Sequence, residues 1–343
     1  MIERRPGGRG RCGPRRLPGG RGCGYPRGVL LARALGVLVV LLLVGAGAGG
    51  VLGMFGAWSW WLDLAAQFRV QYAGALVLAL GLAAALRRWR LVVLAALLLT
   101  PNLEVLSLAV PGDRSAPGPG LRLAHFNLLS SNRRHAEVRA WISGSGAELV
   151  LVQEVDAAWA AALADVPGYR LIHALPRTDN FGLAALLRDG AAAPESIEVL
   201  ELAGVPALAL RLRHDGRPLA LLGLHTLPPV SARYAATRGE QLAAAAAWAQ
   251  GRRDGGAAPV VLGDLNATPF SAAIAPLAAA GLRDSLVGGG LLTAGSWPEL
   301  PWPLRIAIDH CWHDAALVTR ERALGPALGS DHRPLLVELA WAP

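Results

Sequence analysis

The sequence contains no lysine, so all 33 of its basic residues are arginines, and only 17% of its 343 residues are charged. Soluble domains usually have about 25% charged residues. The mean hydropathy of +0.38 likewise indicates a chain that is more apolar than an ordinary soluble domain. The three cysteines are too few for a disulfide-stapled miniprotein. The apolar fraction of 53% excludes a chain that is disordered throughout. Together these features also exclude an ordinary enzyme that is soluble along its whole length.

The basic charge is concentrated in the N-terminal third. Residues 1–120 carry 14 arginines and four acidic residues, a net charge of +10, whereas residues 121–343 carry 19 arginines and 21 acidic residues, a net charge of −2. Residues 1–27 hold eight arginines among many glycines and prolines, which predicts a disordered cytoplasmic tail. A tail that binds nucleic acid is the alternative, but a long apolar run follows the tail directly.

Three apolar runs predict a membrane region over residues 28–110. The predicted helices span 34–57, 70–86 and 91–110. The first run has 24 positions without a charge, more than the roughly 20 residues that a helix needs to cross the hydrocarbon core. The third is interrupted by Pro101.

The arginine clusters predict the orientation of these helices. Arginine-rich loops stay in the cytoplasm, and the cluster at 87–90 lies two crossings after the basic tail. Three crossings then deliver residue 111 onward to the outside, through a Pro/Gly-rich linker at 111–120. This predicts a multi-pass protein of a plasma membrane with its C-terminal domain outside the cytoplasm. A cleaved signal peptide, ending near Ala46-Gly47-Ala48, is the alternative.

Residues 121–343 alternate short apolar runs with helical segments, which predicts a layered α/β domain. The predicted strands are 121–127, 149–153, 182–187, 207–213, 219–225, 259–262, 306–311 and 334–339. The predicted helices are 135–143 and one that Ser231 caps and that extends to residue 250.

Polar side chains stand at the ends of these strands. They are Asn127, Gln153-Glu154, His225, Asp264 and Asn266 within Gly-Asp-Leu-Asn, Asp309, and Asp331-His332 within Ser-Asp-His. Each motif alone is weak, because an aspartate at a strand end is usually a turn residue. The ordered set resembles the endonuclease/exonuclease/phosphatase superfamily over about residues 121–342, and in particular its bacterial membrane-anchored branch. The resemblance implies a four-layer α/β sandwich of the deoxyribonuclease-like type, tethered to a bacterial inner membrane.

The resemblance also implies an enzyme that hydrolyses phosphate esters with magnesium or manganese. The metal would be held by Glu154, Asn127 and Asp331, whose hard oxygen atoms suit an ion that keeps most of its waters.

The implied catalytic set consists of His332, Asp309, Asp264, His225 and Asn266. His332 would act as general base or charge stabiliser and Asp309 would orient it. Asp264 would align the attacking water. Asn266 would bind a phosphate oxygen, as would Asn180. His225 would donate a hydrogen bond to the transition state.

Other polar residues are predicted to lie outside the site. His125 and His310 are predicted to be buried structural residues that face away from their motif neighbours. Arg177 and Arg238 are candidates for contact with an anionic substrate, although solvated arginine is the commoner state.

The expected substrate is a phosphate ester, either a lipid headgroup, a small molecule or nucleic acid. A nuclease is the alternative within this class, and the domain's charge of −2 argues mildly against it. A non-catalytic binding domain is the second class, which the intact motif set disfavours. Membrane lipid is the other expected partner, through the N-terminal helices, and no feature indicates a protein partner.

Overall fold

The computed structural model describes residues 27–109, 115–287, 290 and 295–343. Most of the predicted basic tail and the first part of the predicted linker therefore lie outside the described residues.

The N-terminal region folds into helices. They are α1 (Arg27–Gly53), α2 (Trp60–Ala66), α3 (Arg69–Ala85), α4 (Trp89–Leu99) and α5 (Leu106–Ala109), with 3₁₀ turns at Gly56–Trp58 and Thr100–Val105. Among the described residues, one helix, Gly28–Gly53, is long and apolar enough to cross a membrane. A second span exists only if α2 and α3, which meet at 54°, are counted together.

The third predicted membrane helix is shorter in the structure than its apolar run. α4 ends at Leu99 and continues as the 3₁₀ turn, which contains Pro101. Proline has no backbone N–H to donate and its ring obstructs the preceding turn, so the α-helix cannot continue through it. The eleven residues of α4 reach about 16 Å, roughly half of a hydrocarbon core.

Helices α1, α3 and α4 pack against one another around an apolar core that includes Val39, Leu43, Leu76 and Ala95. Gly53 permits the close approach of α2 to α1, because a Cβ there would lie 2.9 Å from the backbone of Ala66. Small residues at such crossings allow helices to make extensive contact.

The described residues of the C-terminal domain, 121–287 and 295–343, form twelve strands in two sheets. The strands are β1 (Leu121–Asn127), β2 (Leu149–Gln153), β3 (Tyr169–Leu175), β4 (Leu183–Arg188), β5 (Ser196–Leu202), β6 (Val205–His214), β7 (Arg217–Leu224), β8 (Ala258–Asp264), β9 (Arg283–Asp284), β10 (Asp309–His313), β11 (Leu317–Leu324) and β12 (Leu335–Trp341). One sheet has the order β11-β12-β1-β2-β4-β3 and the other β5-β6-β7-β8-β10-β9. The helices of this domain are α6 (His135–Gly144), α7 (Ala157–Leu163), α8 (Ala232–Asp254) and α9 (Ala275–Ala279).

The two sheets pack face to face, and helices cover both outer faces. Alternate residues such as Leu123 and Leu151 meet Leu221 and Val260 between the sheets. Helices α6 and α7 cover the first sheet through residues such as Val138 and Trp159, and α8 and α9 cover the second. The predicted four-layer sandwich is confirmed.

Strand alternation extends the inner face to the ends of the strands. Because side chains two residues apart share a face, the apolar pair Leu121 and Leu123 in β1 is followed on the same face by His125 and Asn127. The inner core therefore ends in polar groups, where the candidate site lies.

Candidate active site

The sheet topology brings the predicted residues together. β1 runs parallel to β2, so Asn127 lies beside Gln153. β10 runs antiparallel to β8, which places Asp309, at the start of one strand, opposite Asp264, at the end of the other. Gln153 joins the two sheets, because its amide donates to the Leu224 carbonyl (2.9 Å) and accepts from the Asp264 N–H (3.2 Å).

An amide and two carboxylates form one side of the site. Asn127 Nδ2 donates to Glu154 Oε1 (3.0 Å) and to Asp264 Oδ2 (3.2 Å). The other Glu154 oxygen accepts from the Ser130 N–H at 3.1 Å. Glu154 has a φ of +59°, a left-handed conformation that is costly for a residue with a Cβ. The surrounding hydrogen bonds hold this conformation and direct the carboxylate toward Asn127.

A buried carboxylate lies between two imidazoles on the other side. His332 Nδ1 donates to Asp309 Oδ2 (2.9 Å), and His125 Nε2 donates to Asp309 Oδ1 (2.8 Å). Burial opposes ionisation of Asp309, but the two histidines hold the pKa of its carboxyl well below the usual range. Burial also disfavours the charged form of His332, yet Asp309 and Asp264 raise its pKa to about 10. These two carboxylates therefore favour the imidazolium form of His332.

The prediction that His125 faces away from the site was wrong. His125 lies two residues before Asn127, so strand alternation places both on the same inner face. Its imidazole is fully buried against Asp309. His310 is adjacent to Asp309 and does face the opposite side, where it is buried against Asp284 (2.8 Å).

Two further predicted residues flank Asp264. His332 Nε2 and His225 Nε2 each lie 3.6 Å from Asp264 Oδ2. Burial and the neighbouring His332 lower the pKa of His225 to about 3, so it is neutral and donates through one ring nitrogen only. Burial, reinforced by Asp309 and opposed by His332, raises the pKa of Asp264. Asp264 is thus more basic than an ordinary carboxylate.

The remaining predicted residues line the same cavity. Asn266 follows Asp264 closely, and its backbone N–H donates to Asp264 Oδ1 (2.9 Å). Asn180 accepts from Ser130 Oγ (2.8 Å). Asp331 accepts from the indole N–H of Trp297 (2.9 Å). All three face a cavity of about 570 Å³ that Glu154 and His332 also line.

The donors at this site fit a divalent cation. Glu154 and Asp264 supply carboxylate oxygen atoms, the ligands that magnesium and manganese prefer, whereas Asn127 turns its Nδ2 toward them and its Oδ1 toward the Leu129 N–H (3.1 Å). Among the described residues, Glu154 forms no ion pair and its carboxylate accepts only from the neutral Asn127 amide and the Ser130 N–H, whereas Asp264 lies 3.6 Å from the His332 ring, which partly offsets its charge. Asp264, Asp309 and His332 also place ligand atoms within 4.8 Å of one another, but both Asp309 oxygens are engaged by histidines.

The N-terminal helices complete the cavity, which the sequence did not predict. Leu64 of α2, and Gln67 and Phe68 after it, line the cavity together with the predicted site residues. We call residues 60–71 the junction segment. Gln67 Oε1 accepts from the Thr268 N–H (2.7 Å), and Gln71 donates to the carbonyl of Arg305 (2.9 Å).

A buried ion pair fixes the junction segment to the domain. Asp63 and Arg238 are 3% and 2% exposed, and Arg238 Nη2 donates to Asp63 Oδ2 at 2.8 Å. Ser271 Oγ and the Ala272 N–H donate to the same carboxylate, both at 2.7 Å. The prediction that Arg238 is either solvated or in contact with substrate was wrong. Arg177 is the exposed arginine of the two, paired with Asp179.

Comparison with known proteins gives the same assignment as the motifs. A model of the Endonuclease/Exonuclease/phosphatase family matches residues 124–332. No curated protein matches the sequence.

Three solved structures illustrate the similarity of the fold. The human Nocturnin catalytic domain with bound sulfate anion is 18% identical, with a TM-score of 0.54 over 66% of this chain and 97% of its own. D. rerio TDP2 complexed with single strand DNA product is 16% identical, with a TM-score of 0.53 over 65% of this chain and 100% of its own. The mannosyl-6-phosphatase of Bacteroides thetaiotaomicron is 16% identical, with a TM-score of 0.51 over 64% of this chain and 100% of its own.

Proposed function

This chain belongs to the endonuclease/exonuclease/phosphatase family and is a metal-dependent hydrolase of phosphate esters, and from that premise we propose that it is a membrane-anchored, magnesium- or manganese-dependent phosphoesterase that acts outside the cytoplasm. The observation that carries this proposal is the convergence of Glu154, Asp264 and His332 in one cavity, from separate strand ends.

Glu154 and Asn127 would hold the metal, with Asp331 nearby on the cavity wall. A divalent ion there supplies charge neutralisation for the phosphate. The hydrogen bonds from Asn127 Nδ2 to Glu154 and Asp264 bring the three side chains together, and to bind the metal Asn127 would present its Oδ1 in place of Nδ2. Asp264, whose pKa is raised by burial, is suited to align the attacking water and accept its proton.

His332 would stabilise the negative charge that develops on the phosphate and protonate the leaving oxygen. Its raised pKa favours the imidazolium form, which suits a proton donor better than a general base. Asp309 and His125 would orient it. Asn266 and Asn180 would bind phosphate oxygens, and neutral His225 would donate one hydrogen bond to the transition state.

Retention of the helices as an anchor is supported by their packing. A signal peptide is also apolar and N-terminal, but α1 packs against α3 and α4, and the junction segment between α1 and α3 lines the cavity. Cleavage near Ala48 would separate most of α1 from this assembly.

The distribution of arginine supports the outside location of the domain. Arg88 lies beside Gly36 in the first half of α1, whereas the junction segment follows the other end of α1. The arginine cluster and the catalytic domain are thus at opposite ends of the bundle, and arginine-rich ends stay in the cytoplasm.

A substrate panel tests the proposed function. Full-length protein in detergent with magnesium should release nitrophenolate from bis-p-nitrophenyl phosphate or from p-nitrophenyl phosphate. A folded protein that hydrolyses neither ester with magnesium or with manganese would contradict it.

Fusion reporters test the topology. A C-terminal alkaline phosphatase fusion should be active and a C-terminal green fluorescent protein fusion dark, because the first requires export and the second cytoplasmic folding. The reverse pattern would place the catalytic domain in the cytoplasm and leave the arginine clusters outside, contrary to the proposed anchor.

A further inference from the structure

The cavity lining combines two chemically different sets of side chains. Glu154, Asp264 and His332 belong to the polar set. The rest of the lining is largely apolar and includes Leu64, Phe68, Phe181, Pro228, Val230 and Ile306. If the substrate consisted of phosphate and sugar alone, its polar groups would lie against these apolar side chains. The lining matches a molecule with a phosphate at one end and a hydrocarbon chain at the other.

The N-terminal helices, which anchor the domain, supply part of the apolar lining of the cavity. Leu64 and Phe68 come from the junction segment, whereas Val230, just before α8, and Tyr234, in its first turn, come from the catalytic domain. These side chains remain accessible: Val230 is 71% exposed and Phe68 40%. Exposed apolar residues that gather at one opening are unusual for a monomeric soluble surface and indicate an interaction site.

The same side of the domain carries other exposed apolar residues. Gln71 on α3 donates to the carbonyl of Pro303 (2.8 Å), which sets the loop containing Trp302 and Leu304 against the helix. Both of these side chains are exposed. Tryptophan is typical of the membrane–water boundary, so the opening lies at the level where lipid headgroups are found.

The charges around the cavity disfavour a polynucleotide. Among the described residues that line it, none is an arginine, and the chain has no lysine. Binding of a nucleic acid strand requires several cationic side chains to neutralise successive phosphates. Arg177, close to the cavity in sequence, is paired with Asp179. A single phosphate held by a metal needs no such array.

We propose that the substrate is a membrane lipid with a phosphate ester in its headgroup, which enters the cavity from the bilayer past Phe68 and Val230. This inference rests on the proposed phosphoesterase function and specifies its substrate class. The junction segment then has a substrate-binding role in addition to its structural one: Phe68 and Leu64 contact the first part of the hydrocarbon chain while the phosphate reaches the metal site.

Two matched phosphodiesters test the proposal. Methyl p-nitrophenyl phosphate and octyl p-nitrophenyl phosphate have the same leaving group and differ only in the apolar chain. With full-length protein in lipid nanodiscs, kcat/KM should be at least about tenfold higher for the octyl ester, since burial of two methylene groups already supplies that factor. Phe68→Ser should reduce the octyl-to-methyl ratio severalfold.

Phe55→Ser is the matched control, because Phe55 is similarly exposed at 36% and lies in the same part of the chain but does not line the cavity. It should leave the ratio unchanged. Equal kcat/KM for the two esters would overturn the lipid proposal while leaving the phosphoesterase intact. Faster hydrolysis of a single-stranded oligodeoxynucleotide than of the octyl ester would overturn it in favour of a nuclease. Hydrolysis of neither ester would overturn the lipid assignment, and failure to hydrolyse p-nitrophenyl phosphate as well would remove the proposed function with it.

Discussion

EDTA is expected to abolish phosphodiester hydrolysis by the full-length protein, and added magnesium or manganese to restore it. The reason is the negative charge of Glu154, whose carboxylate accepts only from the neutral Asn127 amide and the Ser130 N–H and would repel an anionic phosphate unless a metal ion lies between them. Glu154→Gln should raise the magnesium concentration needed for half-maximal activity, and excess magnesium should partly rescue it. The measurement is the initial rate with bis-p-nitrophenyl phosphate over a magnesium titration.

The matched control for this titration is Glu198→Gln, the same chemical change on the exposed strand β5, far from the site residues in the sheet order. Its magnesium dependence should equal that of the unaltered protein. Full activity in EDTA, or a Glu154→Gln variant with an unaltered magnesium requirement, would refute the assignment of Glu154 to the metal.

His332→Ala is expected to lower kcat on the order of 10²–10⁴-fold, the usual contribution of a positioned acid–base group. Excess magnesium should not rescue it. Asp309→Asn should have a similar effect, because Asp309 holds the ring through Nδ1 and maintains its charged form. The double variant should be little worse than either single one, since residues that act as a unit are not additive.

His310→Gln is the control for this series. It changes a histidine adjacent to Asp309 whose ring is buried on the other face of β10 against Asp284, so it should lower the melting temperature without a comparable loss of kcat. Near-normal turnover in a folded Asp309→Asn variant, or an inactive but stable His310→Gln variant, would reverse the assignment of the two faces of the strand.

The strands that the sequence predicted are the interior ones. All eight predicted segments correspond to strands with neighbours on both sides, whereas the four that were not predicted, β3, β5, β9 and β11, are the edge strands of the two sheets. Interior strands of a sandwich are covered on both faces and read as apolar runs. An edge strand such as β5 has exposed charged residues, Glu198 and Glu201. These charges oppose pairing of its free edge with another chain, and they interrupt the apolar run by which a strand is predicted.

The site was predictable to the extent that it depends on motifs at strand ends. The contact between His125 and Asp309 spans 184 residues, and local alternation could only have placed His125 on the inner face, without naming its partner. The contacts of the junction segment with the domain were even harder to predict from the sequence. Asp63 lies in a segment whose composition indicates only a membrane boundary, and its partner Arg238 is one of several arginines on α8 that the sequence does not distinguish from one another. Long-range pairing of charges has no local signature.

The ion pair between Asp63 and Arg238 also imposes an order on biosynthesis. Asp63 leaves the ribosome 175 residues before its partner, and the other groups that bind it, Ser271 and Ala272, follow later still. Until then its carboxylate lacks the three donors that later surround it. The contacts that seat the junction segment therefore cannot form until the chain has been made past residue 272. The complete cavity, which also includes His332, cannot exist until almost the whole domain has been synthesised, long after the helices that supply part of its wall.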